Sequence, residues 1–215
     1  MLPILVTELE KLKVAKRIVV VVNRSIEDLG IWSARTARGE AGIEAGSVIS
    51  LIKDMRAREA ARGEEEETAF VIANSGQLLY SHKQKRAMSM AGWQAMQRPS
   101  ALHAAPIVDE MANRVEGSRT VEEHLRSVMR MVVGSEKFVD KQARMFLIGV
   151  GDGSNEVCKI LEEMCMSCSD GFAIYRDPAN DVARFRQWQE TEHRCDCTGG
   201  HSAFPDQLKP LRSGK

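Results

Sequence analysis

Residues 17–22, Arg-Ile-Val-Val-Val-Val, constrain the fold more than any other stretch of this 215-residue chain. Ile18 to Val22 are all β-branched, which crowds a helix and suits a pleated strand. They do not alternate with polar residues, so neither face is left for water. Such a run is a strand covered on both sides, as in a parallel sheet. The stretch Thr-Ala-Phe-Val-Ile-Ala at 68–73 has the same character, as does Ala-Arg-Met-Phe-Leu-Ile-Gly-Val at 143–150. Residues 171–175 supply a fourth candidate, and residues 77–80 a short edge piece.

Helical patterns separate these strands. The spacing of Leu5, Leu9 and Leu12 predicts a helix over residues 5–16. Ser47 is placed to cap a helix over 48–62, with Val48, Leu51, Ile52 and Met55 on its apolar face. Residues 81–96 are rich in Lys, Gln, Ala and Met and read as helix, while the glycine-bearing stretch 35–46 reads as loop. Thr120 and Glu123 form a capping box that opens a helix to about residue 133, where Gly134 ends it. A last clear helix runs over 154–166. Strands alternating with helices give an α/β class: a mainly parallel sheet flanked by helices. The expected organisation is an N-terminal helix over 1–15, an α/β domain over 16–176 and a divergent tail over 177–215.

Composition narrows the function classes. Thirty basic and thirty acidic side chains cancel, so no global field favours a polyanion. No apolar run approaches the roughly 20 residues that span a bilayer, and residues 1–6 lack the pattern of a cleaved leader. No membrane role is expected. The five cysteines are an odd number and read as reduced thiols, which implies the cytoplasm or nucleus.

The most informative turn is Gly149-Val-Gly-Asp-Gly-Ser154. Gly151 and Gly153 suit a strand that bends abruptly into a helix. That shape serves a nucleophile on an elbow above the sheet, a phosphate held at a helix N-terminus, or a plain cap by Asp152 or Ser154. The phosphate reading wants glycine where Glu156 stands, and the loop lacks the lysine of a Walker loop.

Several stretches together resemble the fungal form of the argonaute-binding protein two (Arb-two) domain family. They are residues 16–22 with Asp28-Leu-Gly30, Ala45 to Ser50, Ile72 to Gln77, Lys85 to Ser89, Ser100 to His103, Asn113-Arg-Val115, Glu123-His124, and Gly149 to Ile160. The resemblance runs over about residues 16–163. It implies an α/β-hydrolase-like fold related to lipases and esterases. It also implies protein partners, since some members are linked to argonaute complexes and others adjoin class II histone deacetylases. Members nearer to true hydrolases carry His-Ser-x-Gly-Gly at the elbow. The matching stretch here is Gly151-Asp-Gly-Ser-Asn155, so Asp152 stands at the nucleophile position and Ser154 is displaced by two. An active hydrolase also needs an acid and a histidine on later loops. Asp177 or Asp181, and His201 ahead of Phe204-Pro205, are the matching candidates. The region between them is shorter than in the family, which reads as a truncated or divergent end.

The expected function is therefore a non-catalytic, hydrolase-like interaction domain. The alternative is a hydrolase of small esters or amides using Asp152, Ser154 and His201. No cofactor is expected. Cys165 and Cys168, with Cys195 and Cys197, form a weak alternative zinc set, because the second pair is tighter than the usual gap. The basic run His82-Lys-Gln-Lys-Arg86, near Tyr80 and Trp93, offers a weak case for RNA.

Overall fold

The computed structural model describes residues 2–63, 68–100, 102–104 and 106–164. Its centre is β2 (Arg17–Val22), flanked in parallel by β3 (Thr68–Ala73) and β6 (Arg144–Gly149) in full six-residue register. A two-residue strand, β1 (Leu5–Val6), joins the outer edge of β3 antiparallel, which gives the order β1-β3-β2-β6. The α/β, mainly parallel reading is borne out. The candidate strand at 171–175 lies outside the described residues.

The unalternating valines are explained by their two covers. Ile18, Val20 and Val22 pack with Val71 and Leu147 against Leu12, Leu125, Val128, Val157 and Ile160. Those residues come from α1 (Leu9–Val14), α6 (Val121–Val128) and α7 (Gly153–Met164). Val19 and Val21 pack on the other face with Phe70, Ile72, Trp32, Val48 and Leu51, the last two from α4 (Val48–Arg62). Each valine is at most 2% exposed. At the amino ends of the strands, buried Glu59 fixes α4 to the sheet. It accepts the Thr68 amide at 2.9 Å and the Thr68 hydroxyl, and pairs with Arg17 at 3.3 Å and Arg56 at 3.1 Å.

Three local readings are corrected. The N-terminal helix is shorter than the Leu spacing predicts: Leu5 and Val6 are drawn into the sheet edge, where Thr7 Oγ1 accepts the Phe70 amide at 2.8 Å. Residues 35–46 hold two short helices, α2 (Ala34–Arg38) and α3 (Gly42–Ala45). Ser33 caps the first by accepting the Thr36 amide at 3.2 Å. Residues 81–96 are not one helix. They form the hairpin β4 (Leu79–Ser81) with β5 (Arg86–Met88), then α5 (Met90–Gln94). Burial of Leu79, Ala87 and Met88 overrides the helical propensity of the Lys, Gln and Ala residues. Two caps match their expectation. Ser47 Oγ accepts the Ile49 amide and Thr120 Oγ1 the Glu123 amide. The Glu123 carboxylate reaches further back than a standard box, to the Gly117 and Arg119 amides. α6 then continues as a π-helical turn, Met129–Val133, ended by Gly134.

Candidate functional site

The connections after β2 and β6 lead to opposite faces of the sheet, since α4 covers one face and α7 the other. In open α/β sheets the crevice for a ligand lies at such a switch, outside the carboxyl ends of the strands. Three loops meet at that place. They are Asn23-Arg24-Ser25 after β2, Asn74-Ser75-Gly76 after β3, and Gly151-Asp152-Gly153 after β6.

The bend into α7 is tight. The Val150 amide donates to the Val22 carbonyl at 2.9 Å, which extends the β2–β6 pairing past the strand end. Gly151 has φ +58, and a β-carbon there would lie 2.8 Å from Arg24 Cγ. At Gly149 a β-carbon would lie 2.3 Å from Ser154 Cα. The positive φ of this bend belongs to Gly151, so the most sharply turned residue carries no side chain.

Asp152 is exposed, and its carboxylate turns towards the first loop rather than capping α7. The Ser25 amide donates to both carboxylate oxygens at 3.3 Å, and the Ser25 hydroxyl donates to Oδ2. Ser154 is 1% exposed, and its hydroxyl donates to the Gly151 carbonyl at 2.6 Å. The two described candidates thus lie on one turn with different surroundings. His201, Asp177, Asp181, Cys165, Cys168, Cys195 and Cys197 lie outside the described residues. Among the described residues no cluster of His, Cys, Asp and Glu is arranged to hold a metal.

The other loops are packed from within. The Ser75 hydroxyl donates to the Asn23 carbonyl at 2.7 Å, and Gly76 lies so close to Glu27 that a β-carbon would overlap the Glu27 carbonyl. Asn23 Nδ2 donates to the carbonyls of Asp28 and Ile31, while its buried Oδ1 has no partner among the described residues. Buried Asn74 accepts the Gln77 amide at 3.0 Å and donates to the Pro3 carbonyl at 3.0 Å.

None of the described histidines bonds to Asp152 or Ser154. His124 is fully buried and receives the Asn74 amide on Nε2 at 3.1 Å. Its proton therefore sits on Nδ1 and is donated to Ser118 Oγ at 2.9 Å. Burial holds its pKa down at about 4, so it is neutral and structural. His82 bonds the Ala112 carbonyl and His103 bonds Ser100.

Sequence reasoning missed Ser25 and Arg24, which read only as loop. The available signal was their place directly after the central strand, opposite a glycine-flanked acid.

Electrostatics decide what this crevice accepts. A helix N-terminus attracts an anion by ~0.3–1 kcal/mol. A carboxylate about 4 Å away repels it by ~1 kcal/mol in water and ~4 kcal/mol at an effective dielectric near 20. At an exposed carboxylate such as Asp152 the two are of similar size, so the helix terminus gives this turn no clear net attraction for a phosphate.

The model of one family, the Arb2 domain, matches residues 1–171. No curated protein and no solved structure matches the chain.

Proposed function

The chain belongs to the Arb2 domain family, and from that premise we propose that it uses a hydrolase-like frame for protein interaction rather than for catalysis. One observation carries this reading: the carboxylate at the elbow is bonded by the amide and hydroxyl of Ser25. In a hydrolase, amides from the loop after the corresponding strand and from the residue after the nucleophile receive the developing oxyanion. Here one of the amides beside the bend faces a fixed negative charge, and Ser154 spends its hydroxyl on the backbone. A serine held that way has no described base to deprotonate it. The partner classes to which the family points are argonaute and histone deacetylase assemblies.

The competing reading is an ester or amide hydrolase with Asp152 as nucleophile and His201 as base. The exposure of Asp152 at the crevice is the observation in its favour. Hydrolysis of p-nitrophenyl acetate by the full chain separates the two. The interaction reading expects a rate equal to that of Asp152→Asn at every pH from 6 to 9. Turnover that Asp152→Asn abolishes would restore the enzyme.

A further inference from the structure

The β4–β5 hairpin ends in an exposed basic tip. His82, Lys83, Gln84, Lys85 and Arg86 are all exposed. Among the described residues, Lys83, Lys85 and Arg86 pair with no carboxylate. The Arg86 side chain bonds only Gln84 Oε1, at 2.8 Å. Asp109 accepts the Met111 and Ala112 amides and keeps its charge, and Glu110 pairs with Arg114 at 2.7 Å, so neither acid bonds the three cations.

The tip is also held rigid. The Gln84 amide donates to Ser81 Oγ at 3.1 Å, His82 Nε2 bonds the Ala112 carbonyl at 2.8 Å, and the Tyr80 amide donates to the Asn113 carbonyl at 2.8 Å. Lys85 has φ +53 and is the only described residue other than glycine with a positive value. Glycine or asparagine would adopt that conformation with less strain. A cation is thus kept where local geometry disfavours it. Such outliers cluster where a side chain has a task.

We propose that this tip is a docking site for an acidic protein segment, with Lys83, Lys85 and Arg86 receiving carboxylates and Met111 receiving an apolar side chain. Met111 is 81% exposed and adjoins Ala112, which His82 holds against the tip. Three cations on a chain of zero net charge steer only a local contact. RNA is the weaker fit because neither Tyr80 nor Trp93 is exposed to stack on a base. Trp93 is buried, with its indole N–H on the Pro106 carbonyl, and Tyr80 meets His82 edge-on. This inference rests on the interaction reading for its partner class, but it is tested without reference to the elbow.

The test is fluorescence anisotropy of the full chain with a labelled ten-residue peptide, Glu-rich around one leucine. A ten-nucleotide uridine RNA is measured in parallel, at low and at physiological salt. Peptide binding is expected to weaken tenfold or more in the Lys83→Glu, Lys85→Glu, Arg86→Glu triple variant. It should be unchanged in Lys53→Glu, a reversal within the distant Lys53–Glu44 pair. Lys85→Asn should bind two- to fourfold more weakly while melting at the same or a higher temperature, which separates loss of charge from loss of fold. The RNA should bind at least tenfold more weakly than the peptide. Absent peptide binding, equal binding by the triple variant, or tighter RNA binding would each overturn the proposal. The ester assay is independent of all three outcomes, so a failed hairpin and a failed interaction reading are told apart.

Discussion

At Gly153 a β-carbon would stand 2.5 Å from the Asn23 carbonyl oxygen and 2.6 Å from that of Val22. Both contacts are backbone and have little freedom to move. Gly153→Ala should therefore lower stability by about 2 kcal/mol, the range of an overpacked core site. Gly63 makes the useful comparison. It ends α4 with φ +64 and has nothing within 4 Å of a β-carbon. Gly63→Ala meets only the backbone penalty, about 1 kcal/mol. Urea unfolding of both variants checks the order, and equal losses would mean that α7 does not press on the first loop as described. The glycine pair around Asp152 was legible in the sequence, because a bend between strand and helix needs residues without a β-carbon. What filled the space was not legible. Arg24 and Ser25 come from 127 residues away in the case of the Ser25–Asp152 bond, and no local pattern announces such a contact.

Among the elements, strands were the most readable and the hairpin the least. β2, β3 and β6 are covered on both faces, and that burial is written directly into their composition. The β4–β5 hairpin has helix-forming residues at its tip and takes its shape from burial of its stem, a tertiary effect. α6 shows how an element can carry a pH dependence. It places His124 against the end of β3, neutral and bonded to Asn74 and Ser118. The folded pKa is about 4, against 6.5 for an ordinary histidine. Between those values the unfolded chain binds one proton more, so stability rises with pH through this window. The contribution is complete above about pH 6.5 and is lost as pH falls towards 4. Its upper size is about 3 kcal/mol. Urea unfolding from pH 7.5 to 4 should show the decline in the native chain and a slope shallower by up to one proton in His124→Gln. Identical slopes would contradict a buried neutral imidazole.

Across the whole molecule, two apolar cores lie on the two sides of one sheet, and the polar loops gather at its carboxyl edge. The chain switches from one face of the sheet to the other there, which is where enzymes of this architecture bind their ligands. Fold does not carry function with it. The same frame here joins the ends of β2 and β6 through a serine and an acid. No described helix is long and apolar enough to cross a membrane.

In the folded chain Asp152 is engaged by Ser25, and the reading of the elbow depends on that contact. The proton chemical shift of the Ser25 amide, compared by NMR in the native chain and in Asp152→Asn, measures that contact at its donor. A downfield amide is expected in the native chain and one shifted upfield in Asp152→Asn under the same conditions. A Ser25 amide with the same shift in both chains would show that the contact is absent.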